Sequence, residues 1–198
     1  MNFELKSFDL ADAAKEKCDA LVVLIGSAFK PGKDALSALA ASALKAGDLE
    51  NKAGKTLAFY RPAGLSGVRL VIAGVGEGTA KEVRQALIAS IAAVKTPTLK
   101  KLVICFAGPS SEAAVRAAVS AASDATYVYT TTKSKPEGRT VQRVVLAGPF
   151  ASKHQAVFDQ TVAAVLGVEV AKEWANRPAN YATPSLLAGA AKSLGKLP

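Results

Sequence analysis

The sequence predicts an α/β fold, a three-layer domain with a mixed, mostly parallel sheet flanked by helices. Two observations predict it. Short segments rich in β-branched and apolar residues recur along the chain, and helical periodicity separates several of them. This alternation favours parallel strands covered on both faces. The chain has 198 residues, of which 50% are hydrophobic, so it is long and apolar enough to bury a sizeable core.

Seven segments have the composition of strands. They are Phe3–Phe8, Leu21–Ile25, Thr56–Tyr60, Val68–Ala73, Lys101–Ala107, Thr126–Thr131 and Val141–Ala147. The last two are joined by a polar, turn-rich loop at residues 133–139, which has no helical pattern. Because antiparallel strands need no crossover helix, we expect this pair to supply the antiparallel part of the sheet.

Four segments have helical periodicity. The first, Asp34–Ala46, places its leucines and alanines on one face and is followed by Gly47, a favourable residue at a helix end. The second begins at a capping box, Thr79–Glu82. The third covers Ser111–Ala122, and the fourth, predicted to be the longest, begins at a second capping box, Ser152–Gln155. These four helices are expected to cover the sheet.

The segment after the longest helix is predicted to connect this domain to another unit. Residues 176–183 break the helical periodicity, and Thr183 then caps a short helix that has Pro184 at its first position. That helix has an apolar stripe and little sequence left to pack against it. We therefore expect an amino-terminal domain at residues 1–175 and a linker with the start of a further unit at residues 176–198.

Charge and hydropathy restrict the class of protein. The formal net charge is +9, with the basic residues scattered along the chain. A solvated surface is the preferred interpretation, and contact with a nucleic acid is the alternative. Apolar runs such as Leu102–Phe106 are far shorter than the roughly 20 residues that cross a bilayer. The amino terminus lacks a signal-peptide profile, so we expect a cytoplasmic protein without membrane contact.

The best candidate for a ligand-binding motif is the glycine-rich segment Val71–Gly78, which follows a strand and precedes a helix. It is not a dinucleotide fingerprint, because Thr79 stands where the third glycine belongs, and it lacks the ending of a P-loop. Two more strands end in glycine turns, at Ala107–Pro109 and Ala147–Pro149. Ligands bind parallel sheets at this carboxyl edge. Tight turns are the preferred explanation of the glycines, and ligand contact is the alternative.

The titratable and aromatic residues near the end of the chain suggest no active site. His154 is the only histidine, lies beside no identifiable nucleophile, and is expected on the surface. Glu169 and Glu173 lie one helical turn apart and are expected to form a solvated face. Trp174 is interpreted as an anchor between this domain and the next.

The two cysteines, Cys18 and Cys105, predict neither a disulfide nor a zinc site. They are far apart in the sequence, and Cys105 lies inside an apolar run, where cysteine behaves as a small hydrophobic residue. Together with the isolated histidine, this leads us to predict no catalytic, cofactor-binding or metal-binding residue in the chain.

A distinctive pattern follows the longest helix. Within residues 167–188 the order Asn-x-Pro-x-Asn-x-x-Thr-Pro-x-x-Leu-Ala begins at Asn176. It resembles the leucyl aminopeptidase (cytosol aminopeptidase) family, in which this segment joins an amino-terminal α/β domain, similar in fold to macro domains, to the catalytic domain. The strand after Cys18–Ala20, the Val75–Gly76 turn and the long helix are also similar to that family.

The resemblance implies a parent enzyme of a defined kind. Members of the family are hydrolases that release amino acids, leucine among them, from peptide amino termini in intracellular protein turnover. They are usually hexamers, and two divalent ions, manganese or zinc, activate a water and polarise the scissile carbonyl. The motifs that carry this chemistry, Lys-Gly-x-x-Phe-Asp-x-Gly-Gly and Asn-Thr-Asp-Ala-Glu-Gly-Arg, do not occur in this sequence. No catalytic or metal-binding role is therefore transferred to a residue of this chain.

For this chain the resemblance implies a supporting role. We expect a non-catalytic domain without a cofactor of its own, which serves oligomer assembly beside its own catalytic domain. Residues 176–198 would then be the linker and the start of that catalytic domain. Two alternatives remain open at this point: a DNA-binding regulatory module and a macro-like module that binds ADP-ribose.

Overall fold

Six strands form one sheet in the computed structural model, which describes residues 1–149 and 151–195. They are β1 (Asn2–Ser7), β2 (Ala20–Ile25), β3 (Thr56–Tyr60), β4 (Arg69–Gly74), β5 (Lys101–Phe106) and β6 (Arg143–Gly148). Their order across the sheet is β1-β6-β5-β2-β4-β3. Neighbouring strands are parallel except β3 and β4, which are antiparallel. The predicted mixed, mostly parallel sheet is confirmed.

Helices cover both faces of this sheet. The α-helices of the described residues are α1 (Leu10–Lys15), α2 (Ala35–Ala46), α3 (Ala80–Val94), α4 (Glu112–Thr126), α5 (Gln155–Ala175) and α6 (Pro184–Leu194). The helices α3, α4 and α5 pack on one face, and α1 and α2 pack on the other. The three layers predicted from the sequence are therefore confirmed.

The central strand β2 shows why the sequence produces two cores. Ala20, Val22 and Leu24 belong to the core under α3, α4 and α5, whereas Leu21, Val23 and Ile25 belong to the core under α1 and α2. Successive side chains of a strand point to opposite faces. A strand covered on both faces is therefore apolar at every position.

Two predicted helix ends are confirmed in atomic detail. At the start of α3, Glu82 N donates to Thr79 Oγ1 at 3.4 Å, and Thr79 N donates to Glu82 Oε2 at 2.9 Å, which completes the predicted capping box. At the end of α2, Gly47 adopts a φ of 80°, a left-handed conformation that favours glycine. Local sequence signals thus fix where these helices start and stop.

The predicted strand Thr126–Thr131 is wrong. The helix α4 continues to Thr126, and residues 127–142 contain neither helix nor strand. Tyr127 instead contacts α5, where its hydroxyl donates to Glu173 Oε1 at 2.8 Å. The antiparallel junction expected between this segment and β6 is wrong as well, because the antiparallel pair is β3 and β4.

Three further differences concern the helices. The second predicted capping box is wrong, because a 3-10 helix at Ala151–His154 precedes α5 and no side chain caps α5. The helix α1, which Asp9 caps, was not predicted because six residues are too few to show a period. The apolar periodicity of the longest helix continues through Leu166 and Val170, yet these two side chains are 47% and 41% exposed.

The last described helix buries none of its residues. Thr183 caps α6 and Pro184 occupies its first position, as predicted, but no residue of α6 is buried. Residues 196–198 of the predicted linker segment lie outside the described residues. No helix within residues 1–149 and 151–195 is long and apolar enough to cross a membrane.

Candidate ligand cleft and the carboxy-terminal arm

The carboxyl edge of the sheet contains a cleft of about 300 Å³. Three loops surround it: the loops that follow β2, β4 and β5. The cleft thus lies where the sequence predicted the glycine turns after β4 and β5, at the edge that binds ligands in parallel sheets. Its walls combine the aromatic side chains Phe29 and Phe106 with the glycine turns and with Ser27, Glu77 and Ser110.

Hydrogen bonds join the loops after β2 and β4. Ser27 N donates to Gly76 O at 2.7 Å, and Ser27 Oγ donates to Glu77 Oε2 at 3.1 Å. Gly76 N in turn donates to Asn51 Oδ1 at 3.1 Å. The backbone amide of Gly76 and the carboxylate of Glu77 are therefore already engaged by this chain.

The glycines after β4 have structural reasons. A Cβ on Gly74 would lie 2.6 Å from Glu50 O, which is too close for any side chain. Gly76 and Gly78 have φ values of 52° and 73°, which few other residues adopt. Gly108 differs, because a Cβ there would meet no atom within 4 Å. Tight turns explain the segment after β4, and Gly108 has no such requirement.

The charge of the cleft disfavours anionic ligands. Of the described residues that line it, none is basic, and Glu77 contributes a carboxylate. Ser111 caps α4, where Ala114 N donates to its hydroxyl at 3.2 Å, so this helix end is already capped. A pyrophosphate would meet a negative charge here without a compensating cation. The cleft fits a neutral or cationic small molecule better than ADP-ribose.

His154 lies next to this cleft and is buried, which corrects the prediction of a surface histidine. It is 3% exposed, and its Nε2 lies 3.0 Å from the carbonyl oxygen of Ser110. The ring therefore links the start of α5 to the loop after β5. The partners are 44 residues apart in the sequence, so no local pattern could have revealed the contact.

Glu169 and Glu173 do not form a solvated face, which corrects a second prediction. Arg139 Nη2 and Nη1 donate to the two carboxylate oxygens of Glu169 at 2.6 and 3.0 Å. Glu173 accepts hydrogen bonds from the hydroxyls of Tyr127 and Thr131, both at 2.8 Å. The two carboxylates fasten the irregular segment 127–142 to α5.

Burial and hydrogen bonding act in opposite directions on Glu169. Burial raises the pKa of its carboxyl, but the hydrogen bonds from Arg139 and Ser123 and the charge of Arg139 lower it, and the net pKa lies below its ordinary value. The ionised carboxylate is therefore the form that stabilises the fold.

The end of α5 and α6 form an exposed arm, which we define as residues 166–195. Trp174 stacks with Arg177, whose guanidinium lies 3.9 Å from the ring centre. Apolar side chains along the arm are more than 40% exposed: Leu166, Val168, Val170, Tyr181, Leu186, Leu187 and Leu194. A series of this kind is typical of a surface that contacts another protein unit.

The described residues do not fit a metal centre of their own. Among residues 1–149 and 151–195, no group of three or more His, Cys, Asp or Glu side chains could hold a metal ion. Cys18 and Cys105 are both buried and free, and burial raises the pKa of each thiol to about 12. Both are neutral thiols at physiological pH.

Comparison with known proteins identifies the family. The family model for the amino-terminal domain of the cytosol aminopeptidase family matches residues 20–136, more than half of the chain. The chain belongs to this family. The amino-terminal domain of a cytosol aminopeptidase is also what the fold and the segment at residues 176–188 indicated.

Relatives in the family match along the whole chain. A probable cytosol aminopeptidase of Albidiferax ferrireducens is 64% identical over 197 residues, which are 100% of this chain and 41% of that protein. One of Verminephrobacter eiseniae is 57% identical over 198 residues, 100% of this chain and 38% of that protein. The chain therefore spans about two fifths of the length of these relatives.

Solved structures share the fold at low identity. A tomato leucine aminopeptidase mutant matches with a TM-score of 0.75 and 17% identity, over 98% of this chain and 41% of that one. The bottromycin maturation enzyme BotP, solved in complex with manganese, matches with a TM-score of 0.66 and 19% identity over 89% of this chain and 36% of that one. These likenesses confirm the α/β architecture of the chain.

Proposed function

We propose that this chain is the non-catalytic amino-terminal domain of a metal-dependent leucyl aminopeptidase that acts in cytoplasmic protein turnover. The match of the whole chain to about two fifths of cytosol aminopeptidases carries this proposal. The parent enzyme is proposed to release leucine and similar residues from the amino termini of peptides.

The proposed domain organisation places the boundary at the end of α5, within the exposed arm. Residues 1–175 form the amino-terminal domain, and residues 176–198 form the linker and the start of the catalytic domain. The absence of any buried residue in α6 among the described residues supports this division, because an amphipathic helix is stabilised mainly by packing its apolar face.

The domain is proposed to serve assembly. Its own catalytic domain and further subunits of a homo-oligomer, a hexamer in this proposal, are its partners. Support comes from the apolar side chains along the arm, such as Leu166 and Val168, which are 47% and 49% exposed. Apolar residues of this size lose water favourably when a second surface covers them.

The metal ions belong to the catalytic domain in this proposal. The described donor side chains of this chain do not fit a binuclear centre, so no step of hydrolysis is assigned to its residues. Two ions, manganese or zinc, would activate a water when bound elsewhere in the parent.

The size and activity of the native gene product test the proposal. An antibody raised against this chain should detect a much larger band in cell extract. The purified native protein should hydrolyse leucine p-nitroanilide with manganese, whereas the 198-residue chain alone should not. A native band that matches 198 residues, or hydrolysis by the chain itself, would contradict the proposal.

A DNA-binding role is the second candidate, favoured by the formal net charge of +9. Lys30, Lys33 and Lys45 are exposed and form no ion pair with a described residue. If they contact phosphates, replacing all three with Gln makes the negative slope of log affinity against log salt shallower by about 2 to 3. Fluorescence anisotropy with a duplex measures the slope, and an unchanged slope excludes these lysines.

A further inference from the structure

A second and larger cavity, of about 560 Å³, opens at the opposite end of the sheet from the cleft. It lies between the ends of α3 and α4 and the segment 127–142. Ile91, Leu99 and Val141 line it and are at most 3% exposed. We call this space the amino-edge cavity. Its volume lies within the range of about 300–1,000 Å³ that is typical of small-molecule sites.

The segment 127–142 covers this cavity and is fastened at both ends. Tyr127 is held by Glu173, and Arg139 is held by Glu169 and by the carbonyl oxygen of Thr126, at 2.9 Å from its Nε. The middle of the segment, residues 133–138, is exposed. Loops of this length without secondary structure are uncommon in compact domains and are frequently binding loops.

Two basic side chains line the cavity beside its buried apolar residues. Lys95 and Lys133 line it, and neither forms an ion pair with a described residue. Lys95 Nζ donates to the carbonyl oxygen of Ala125 at 3.3 Å, and an ammonium group has three donors. Both lysines can therefore donate to a bound anion.

We propose that the amino-edge cavity binds a small amphipathic carboxylate. Its apolar body would contact Ile91, Leu99 and Val141, and its carboxylate would pair with Lys95 and Lys133. Burial of an apolar body supplies affinity, and the two ammonium groups orient the carboxylate. The residues that would contact the ligand belong to neither the arm nor the cleft, so the proposal does not rest on the peptidase function proposed above.

Two sources share this chemistry: a free apolar amino acid and a carboxylate that lacks an amine. Glu137 also lines the cavity and separates them. Its carboxylate attracts the ammonium group of an amino acid, and it repels a simple carboxylate. The change in affinity of each ligand when Glu137 is replaced therefore distinguishes an amino acid from a carboxylate that lacks an amine.

Four probes with a phenyl ring on a short carbon chain test the proposal: 3-phenylpropionate, L-phenylalanine, 3-phenylpropanol and 3-phenylpropylamine. Each is titrated into the 198-residue chain, and amide chemical shifts are followed by NMR. The carboxylates should shift the amides of Gly138 and Thr140, which line the cavity, and at least one should bind about fivefold more tightly than the alcohol and the amine. Equal binding of all four probes, shifts confined to other residues, or no binding at millimolar concentration would overturn the proposal.

Charge variants at exposed positions provide the matched control. Lys133→Glu should weaken carboxylate binding about fivefold, because it replaces an attraction by a repulsion at a partly solvated site. Lys135→Glu changes the same charge in the same exposed loop, outside the lining of the cavity, and should leave the affinity unchanged. Equal effects of the two variants would overturn the assignment.

The variant Glu137→Gln separates the two kinds of ligand. If the natural ligand is an amino acid, the variant should strengthen the binding of 3-phenylpropionate and weaken the binding of L-phenylalanine. If the variant strengthens the binding of both probes, the ligand is a carboxylate without an amine.

Discussion

Gly74 ends β4 at a point where the chain passes close to its own backbone. A Cβ there would lie 2.6 Å from Glu50 O and 2.7 Å from Lys52 N, and backbone atoms of this kind cannot move aside cheaply. We expect Gly74→Ala to lower the free energy of unfolding by about 2–3 kcal/mol. Urea denaturation measures the change.

The matched control is Gly108→Ala, which changes a glycine in the turn after β5, another parallel strand of the same sheet. A Cβ at Gly108 meets no atom within 4 Å, so we expect a change within about 0.5 kcal/mol. If both variants lose the same stability, close backbone approach is not the reason for Gly74.

The ion pair of Arg139 with Glu169 should make stability depend on pH. The folded-state pKa of Glu169 lies below its ordinary value of 4.5, because the hydrogen bonds from Arg139 and Ser123 outweigh the effect of burial. A carboxyl with a depressed pKa contributes stability above its unfolded pKa and loses that contribution as the pH falls through the folded pKa. The stability of the chain should therefore fall below about pH 4.5 partly through this group.

The variant Glu169→Gln isolates this contribution. It should be less stable than the parent at neutral pH, by about 1–3 kcal/mol, and the difference should shrink in acid. Thermal unfolding monitored by circular dichroism across this pH range measures both. Glu137→Gln is the control, since Glu137 is exposed and forms no ion pair with a described residue, and it should leave the difference from the parent chain the same at every pH. A constant difference for Glu169→Gln at every pH would contradict the assignment.

At the scale of elements, two threonine caps with the same N···O distance should differ in their effect on stability. Thr79 caps α3 and Thr183 caps α6, each accepting a backbone hydrogen bond at 3.4 Å. The helix α3 buries six residues, and α6 buries none. Thr79→Ala should lower the free energy of unfolding by about 1 kcal/mol. Thr183→Ala should leave global unfolding unchanged, because α6 can fray without exposing a core.

Chemical denaturation measures global stability for both variants, and amide hydrogen exchange shows the local fraying of α6. A global loss for Thr183→Ala equal to that for Thr79→Ala would mean that α6 packs on the domain in solution.

The elements that the sequence predicted correctly carry local signals. The helix α3 has its capping box, and the residues that recur at helical spacing after it are all buried: Val83, Ala86, Leu87, Ser90, Ile91 and Val94. Segment 127–142 shows the limit of such signals. Tyr127 and Val128 favour a strand by composition, but β6 already has β1 on one side and β5 on the other. A hairpin partner beside β6 had no edge to occupy, and sheet order cannot be determined from local composition.

The candidate sites were predictable only in part. The glycine turns after the parallel strands indicated, from the sequence alone, that the carboxyl edge of the sheet is a candidate for ligand binding. The burial of His154 and the contacts of Glu169 were missed, because their partners lie 44 and 30 residues away in the sequence. The amino-edge cavity lies under residues 127–142, a segment in which the strand Thr126–Thr131 was wrongly predicted, so the cavity could not be predicted from the sequence.

At the scale of the whole molecule, the apolar residues form two sets: those buried in the two cores, which stabilise the fold, and those exposed on the arm, which do not. Leu87 in α3 is completely buried, whereas Leu186, Leu187 and Leu194 of α6 are 47%, 44% and 51% exposed. A leucine in α3 should therefore contribute much more to the free energy of unfolding than a leucine in α6. Truncating a buried leucine costs about 2–5 kcal/mol, and truncating an exposed one costs little.

We expect the triple variant Leu186→Ser, Leu187→Ser, Leu194→Ser to unfold at the temperature of the unchanged chain, while Leu87→Ala unfolds at a much lower one. The triple variant should also bind less of an apolar fluorescent dye and self-associate less, because it removes exposed apolar surface. Calorimetry, dye fluorescence and sedimentation velocity measure these three effects. If the triple variant lowers the unfolding temperature as far as Leu87→Ala does, the apolar side of α6 is covered by this domain itself, and the arm is not the surface that awaits another protein unit.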